Sequence, residues 1–212
     1  VQDGVINDRF AQRSDDNMRN LTRPQSPHHD FVTPEYQSFD DIQSIKWETC
    51  RGIGHSFGYN RNEGDEQLVG LDELVHMFVD IVSKNGNLLL NVGPMADGTI
   101  PENQQKRLEA LGHWLDVNGE SMFDTRPWTR AEGKTTQGTD IRFTQSDNTL
   151  YATLLDTPSE HDITIEGLTI DSGAQVRLLG HDADLTWTQS GSDLSIQLPA
   201  LPDSPAHSLQ II

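Results

Sequence analysis

Asn87-Leu88-Leu89-Leu90-Asn91-Val92-Gly93-Pro94 is an apolar run bounded by turn-forming residues, and its reading decides the fold. A short run without polar alternation predicts a strand buried on both faces, as in a parallel sheet. The residues before it support that reading. Leu71, Leu74, Val75, Phe78 and Val82 follow the i, i+3, i+4, i+7 pattern of an amphipathic helix, and Asn85-Gly86 supplies a C-terminal stop. After it, Pro101 suits the first position of a second helix that carries Leu108, Leu111 and Leu115 on one face and ends at Asn118-Gly119. Helix, strand, helix is the rhythm of an α/β unit.

Working outward towards the N-terminus, Ser44 to Cys50 is a further strand candidate, followed by the glycine-punctuated stretch Gly52-Ile53-Gly54-His55-Ser56-Phe57-Gly58-Tyr59-Asn60. Glycines there permit positive φ or close backbone approach. Gly4-Val5-Ile6 reads as a short buried strand, with Asn7-Asp8-Arg9 at the end where a loop begins. Between Ala11 and Asp30 large apolar residues nearly vanish, which predicts an irregular surface loop, long enough to be a rim insertion. Towards the C-terminus the pattern changes beyond Trp128. Ile141-Arg142-Phe143, Leu150 to Leu154, Ile163-Thr164-Ile165, Val176-Arg177-Leu178, Leu185-Thr186-Trp187 and Leu194 to Leu198 are short alternating segments separated by turn signals. Such spacing predicts an antiparallel sandwich. The expected division is residues 1–127, α/β, and residues 128–212, all-β, with the boundary near Pro127.

Composition narrows the function classes. The 212 residues carry a net charge of −18, with 15 Lys and Arg against 33 Asp and Glu. Phosphate backbones and anionic membranes are recognised by clustered cations, so neither nucleic acid nor a membrane is an expected partner. A neutral ligand such as a sugar is compatible with this charge. Cys50 is the single cysteine, which excludes an intrachain disulfide and a thiolate metal cluster. His28-His29-Asp30 reads as solvated loop rather than as metal ligands. The chain opens in a strand-like stretch without an initiator Met, a basic segment or an apolar leader, which reads as a sequence continued upstream. Its apolar stretches fall short of the roughly 18 residues that would cross a bilayer.

Five words occur in one order: Asn7-Asp8-Arg9-Phe10, Thr33-Pro34-Glu35-Tyr36, Lys46-Trp47-Glu48, Ser56-Phe57-Gly58-Tyr59-Asn60 and Asn87 to Pro94. Together with Asp97-Gly98-Thr99-Ile100-Pro101 they resemble the α-L-fucosidases of glycoside hydrolase family 29, over nearly all of residues 1–127. The β-rich remainder is similar to that family's C-terminal sandwich in architecture only. The resemblance implies the C-terminal half of a (β/α)8-like TIM barrel followed by a small antiparallel β-sandwich. It also implies retaining hydrolysis of terminal α-linked L-fucose from a fucosylated oligosaccharide or glycoconjugate, with no cofactor and no metal. A homo-oligomer and a secreted, periplasmic or lysosomal setting stay open.

The resemblance also assigns roles. Glu35 matches the general acid/base, and its alternative is one more surface acid. Arg9 matches an arginine that contacts the fucose and the nucleophile region, the alternative being a structural ion pair at a barrel rim. Phe57 matches an aromatic beside the sugar's methyl group, against ordinary packing, and His55 is a rim contact. Glu48 and Trp47 belong to the matching words but read equally well as structural. The family's nucleophile is an Asp after a strand preceding Asn-Asp-Arg, and no residue of this chain takes that place. A closed barrel uses about 250 residues, so half of one is expected to leave a sheet edge and apolar helix faces uncovered. The competing class is a non-catalytic carbohydrate-binding or structural sandwich carrying a relic barrel segment.

Overall fold

The computed structural model describes residues 4–10 and 29–212, so the predicted loop of residues 11–30 and the His28-His29 pair fall largely outside the described residues. Among the described residues, every strand pairing in the first half is parallel. Strand β1 (Trp47–Gly52) lies beside β2 (Gly86–Asn91), with Trp47 opposite Gly86 and Gly52 opposite Asn91. On the other side of β1, Val32 bridges Trp47 and Glu35 bridges Cys50 at a constant offset, so residues 32–35 form one register with it. Asn7 bridges Phe31 beyond that. Sequence neighbours are therefore sheet neighbours, the arrangement a (β/α) barrel requires.

Helix α1 (Leu71–Ser83) forms where the helical spacing predicts it, and Leu74, Val75 and Val79 are fully buried. The predicted stop works differently from its reading. Asn85 takes the left-handed conformation at φ 74, while Gly86 already belongs to β2. Gly86 is required by packing: a Cβ there would collide with the Trp47 indole. Helix α2 (Glu102–Asn118) starts one residue later than expected, with Pro101 capping it rather than opening it.

Two strand expectations need correction. β2 is not buried on both faces: Leu88 and Leu90 pack towards α1 and α2, while Leu89 points the other way and is 50% exposed. The run is apolar, but only its helix-facing side is covered among the described residues. Likewise Val5 and Ile6 are exposed and form no strand. That segment is joined to its neighbour by the bridge at Asn7 and by the Ile6 carbonyl, which accepts from Asp30 N at 2.7 Å, contacts of the backbone that leave both side chains exposed.

The second half is a sandwich. A five-stranded sheet has the order β3 (Arg126–Lys134), β4 (Asp140–Ser146), β5 (Thr149–Leu155), β10 (Ala206–Ile211), β7 (Val176–Leu178). A three-stranded sheet, β6 (Asp162–Ile165), β9 (Asp193–Gln197), β8 (Trp187–Ser190), faces it across a core that includes Ile141, Phe143, Leu154, Ile165 and Leu194. All pairings within these two sheets are antiparallel. β3 and β10 had no strand signal in the sequence, although β10 sits between β5 and β7.

The apolar helix faces are not left bare, contrary to expectation. Val75 and Val79 of α1 share a buried cluster with Trp114 of α2, Met122, Leu155 of β5 and Ala206 of β10. An ion cluster closes the same junction. Asp80 of α1 meets Lys84 Nζ at 2.9 Å and Arg142 Nε of β4 at 2.6 Å, and Glu132 of β3 meets Lys84 at 2.8 Å. Among the described residues no helix is long and apolar enough to cross a membrane.

Candidate active site

In a parallel sheet of this kind side chains alternate between the helix-covered face and the opposite one. Val32 and Trp47 point to the helix side and are buried with Ile81 of α1. The alternation then places Glu35, Cys50 and Leu89 in one row on the opposite, open face, because Glu35 pairs with Cys50 and Cys50 with Leu89. Glu35 lies where its extended segment ends, and the Asp8–Phe10 turn, after the Asn7 bridge, and the loop after β1 lie at that same end. Barrels of this class build their sites at the C-terminal ends of their strands.

Glu35 and Arg9 meet there. Arg9 Nη2 lies 2.7 Å from Glu35 Oε1, with side chains 38% and 49% exposed. Arg9 is aimed by Thr33: its Nε donates to Thr33 Oγ1 at 2.8 Å and its Nη2 to the Thr33 carbonyl at 3.1 Å. Thr33 is held in turn by buried Asp8, whose Oδ1 accepts from the Thr33 hydroxyl at 2.7 Å and from its backbone N–H at 3.0 Å. Asp8, Thr33, Arg9 and Glu35 thus form one chain of polar contacts, from a buried anchor to a carboxylate open to solvent. The always-charged fork of arginine suits this task, since it offers donors on two sides at fixed geometry. Glu35 Oε2 has no hydrogen-bond partner among the described residues.

Phe57 reaches the same region through Tyr36, whose ring it meets edge-on with centroids 5.4 Å apart. Its loop is tied to the end of β2, where Asn91 Nδ2 donates to the Phe57 carbonyl. Gly93 allows the approach: a Cβ there would lie 2.7 Å from Tyr59 N. His55 is on the same loop and exposed, but among the described residues no hydrogen bond or ion pair joins it to Arg9 or Glu35. Cys50 sits under the pair. Burial pushes its thiol up, Arg9 opposes this, and Glu35 and Glu48 add to it, so the neutral thiol is favoured beside the charged pair. Trp47 proves structural, its indole N–H donating to the Lys84 carbonyl at 3.0 Å.

The structure therefore brings Arg9 and Glu35 together and connects Phe57 to them through Tyr36, the residue after Glu35, while His55 is not joined to the pair by any such contact among the described residues. Sequence reading missed Asp8, Thr33 and Asn91 as supports, and passed over Tyr36 although it stood in the motif. Among the described residues, no group of three or more His, Cys, Asp or Glu is placed to hold a metal ion.

A parallel β/α unit with a charged pair at its strand ends, backed by an antiparallel sandwich, places the chain among (β/α)-barrel proteins with a C-terminal β domain, and comparison with known proteins gives the family. The family model described as alpha-L-fucosidase matches residues 2–120, and that described as the alpha-L-fucosidase C-terminal domain matches residues 134–211. The chain belongs to the alpha-L-fucosidase family. Human tissue alpha-L-fucosidase is 33% identical over 204 residues, 94% of this chain and 41% of that protein. The Branchiostoma floridae alpha-L-fucosidase is 35% identical over 160 residues, 74% of this chain and 35% of its own. The crystal structure of Thermotoga maritima alpha-fucosidase in complex with fucose superposes with a TM-score of 0.78 at 41% identity, covering 89% of this chain and 43% of that one. The chain thus spans about two fifths of the length of the relatives it matches.

Proposed function

We propose that the protein is a retaining exo-α-L-fucosidase that releases terminal α-L-fucose from a fucosylated oligosaccharide or glycoconjugate. Residues 1–127 form part of its catalytic barrel and residues 128–212 its C-terminal β-sandwich. The observation that carries this reading is the Arg9–Glu35 pair at 2.7 Å, on the open face and at the strand ends where such barrels act. Family membership and the fucose complex of the Thermotoga relative point the same way.

Glu35 is the general acid/base. Retaining hydrolysis uses two carboxyl groups about 5–5.5 Å apart. In the first step one attacks the anomeric carbon while Glu35 passes its proton to the departing glycosidic oxygen. In the second, Glu35 takes a proton from the water that displaces the enzyme carboxylate from that carbon. The attacking Asp is supplied by the part of the relatives' length that this chain does not span. Arg9 orients Glu35 and offers donors to the sugar hydroxyls. Phe57 covers the 6-deoxy methyl group, a patch whose burial contributes on the order of 0.8 kcal/mol, and His55 lies at the rim.

Leaving-group dependence tests the assignment. In the complete protein, Glu35→Ala is expected to slow fucosides with poor leaving groups by about 10²–10⁴-fold, and activated aryl fucosides much less, because only the former need the proton. Equal losses on both would remove Glu35 from the acid/base role.

A further inference from the structure

Tyr36 directly follows the candidate acid and marks the point where the extended segment turns away. Its backbone lies at φ 52, a left-handed conformation that non-glycine residues adopt rarely and that persists where surrounding contacts over-determine it. Those contacts are visible. Tyr36 N donates to the Cys50 carbonyl at 3.1 Å, and its hydroxyl accepts from Gly52 N at 3.0 Å and donates to the Gly54 carbonyl at 3.4 Å. The ring is gripped from two more sides, by the edge contact with Phe57 and by the Arg51 guanidinium 5.4 Å from its centre. Position 52 is glycine for the same reason: a Cβ there would lie 2.9 Å from the Tyr36 hydroxyl and 2.8 Å from the carbonyl oxygens of Gly54 and Ser56.

We propose that Tyr36 is a positioning residue that ties the Glu35 carboxyl and the Phe57 ring into one unit, so that the proton donor and the aromatic surface are set by a single brace. This rests on the reading of Glu35 as the acid/base. The side chain of Glu35 is half exposed and, among the described residues, is anchored by Arg9, so its placement depends on the backbone at the 35–36 junction. A proton donor has to sit within hydrogen-bond reach of the leaving oxygen, and a misplacement of about 1 Å costs on the order of 10²-fold in rate. The hydroxyl of Tyr36 fixes that junction to the Gly52–Gly54 turn. Its ring fixes the turn's continuation at Phe57.

The two parts of the brace separate by substitution. Tyr36→Phe keeps the ring and removes both hydroxyl bonds. In the complete protein it is expected to lower kcat on a poor-leaving-group fucoside by about tenfold or more, with a much smaller change on an activated aryl fucoside and KM nearly unchanged. Tyr36→Ala removes the ring as well and is expected to raise KM on both substrates, a defect that Tyr36→Phe does not show. Should Tyr36→Ala fail to fold, Tyr36→Phe decides alone. Equal losses on both substrates, or wild-type kinetics in Tyr36→Phe, would overturn the brace. If the unsubstituted complete protein turns over neither fucoside, the proposed function falls and the brace with it. If Glu35→Ala shows the leaving-group dependence and Tyr36→Phe does not, the brace alone falls.

Discussion

The parallel half and the antiparallel half bury their residues in opposite ways. In the sandwich, two sheets close on each other, and Ile141, Phe143, Leu154, Ile165 and Leu194 reach zero or near-zero exposure. In the parallel half, pairing outside β1 and β2 is reduced to single bridges among the described residues, one face rests on α1, and the other carries exposed Glu35 and Leu89 with partly buried Cys50 between them. The Arg9–Glu35 pair, proposed above as the acid/base and its partner, thus lies where the sheet contributes least to packing. What steadies them lies behind: α1 is clamped between the parallel strands and the sandwich, so the well-packed block supports the lightly built one.

The largest effect is expected where the packing is densest. Phe143 is fully buried, meets Trp128 in a tilted contact at 5.1 Å between centroids and lies under the Arg130 guanidinium at 4.9 Å. Phe143→Ala is expected to cost about 3–5 kcal/mol in chemical denaturation, the range for large aromatic truncations in closed cores. A cost of about 1 kcal/mol would mean that the sandwich is far softer than its burial implies.

Next comes the joint between the halves. Asp80 answers two cations, Lys84 and Arg142, which are 5% and 16% exposed. Removing the shared carboxylate leaves both cations with only the half-exposed Glu132 as a carboxylate partner among the described residues, 2.8 Å from Lys84 and 3.4 Å from Arg142, and breaking fully buried pairs costs about 3–5 kcal/mol. Asp80 keeps 18% exposure, so Asp80→Ala is expected to cost about 2–3 kcal/mol. More telling is the shape of the transition: with the clamp weakened, the parallel half should melt before the sandwich. A single cooperative transition, unchanged in slope, would show that the apolar cluster around Val75, Val79 and Trp114 carries the joint alone.

How far these features were readable in the sequence follows the same division. α1 was legible because its buried residues, Leu74 and Ile81 towards the parallel strands and Val75 and Val79 towards the sandwich, still leave polar positions such as Asp72 and Glu73 outside, and that preserves a 3.6-residue period. β10 was not, because Ala206-His207-Ser208-Leu209-Gln210-Ile211 contains polar residues that are buried by being satisfied. Ser208 shares hydrogen bonds with Thr153 and Ser121, and its N–H donates to Asn118 Oδ1 at 3.1 Å. A strand stabilised by such long-range partners has no local apolar signal. β3 was missed for a related reason, since Pro127 and its charges suit an edge strand. Leu89 misled in the other direction, because hydrophobicity does not tell which side of a sheet will be covered. At the site, Arg9 and Glu35 were found through matching words rather than periodicity. Tyr36 stood in those words without a role, since a positive φ and a ring contact exist only once the chain is folded.

The smallest expected effect lies in the seam between β10 and the loop of residues 199–205. His207 is buried, its Nε2 lies 2.9 Å from Thr157 Oγ1, and burial holds its pKa below the ordinary value of 6.5, against the opposing pull of Asp203 and the Pro202 carbonyl. The folded state therefore prefers the neutral ring more strongly than the unfolded state does. As pH falls through 6.5 the unfolded chain takes up a proton that the folded one resists, so the unfolded state binds more protons and stability declines towards the folded pKa. Above 6.5 the contribution is complete. Urea midpoints of the wild type should thus fall between pH 7 and pH 5 more steeply than those of His207→Gln, which keeps polar atoms in place but cannot titrate. Parallel curves for the two proteins would mean that Asp203 and the Pro202 carbonyl offset burial in full, and that this seam is as indifferent to protons as the core beneath it.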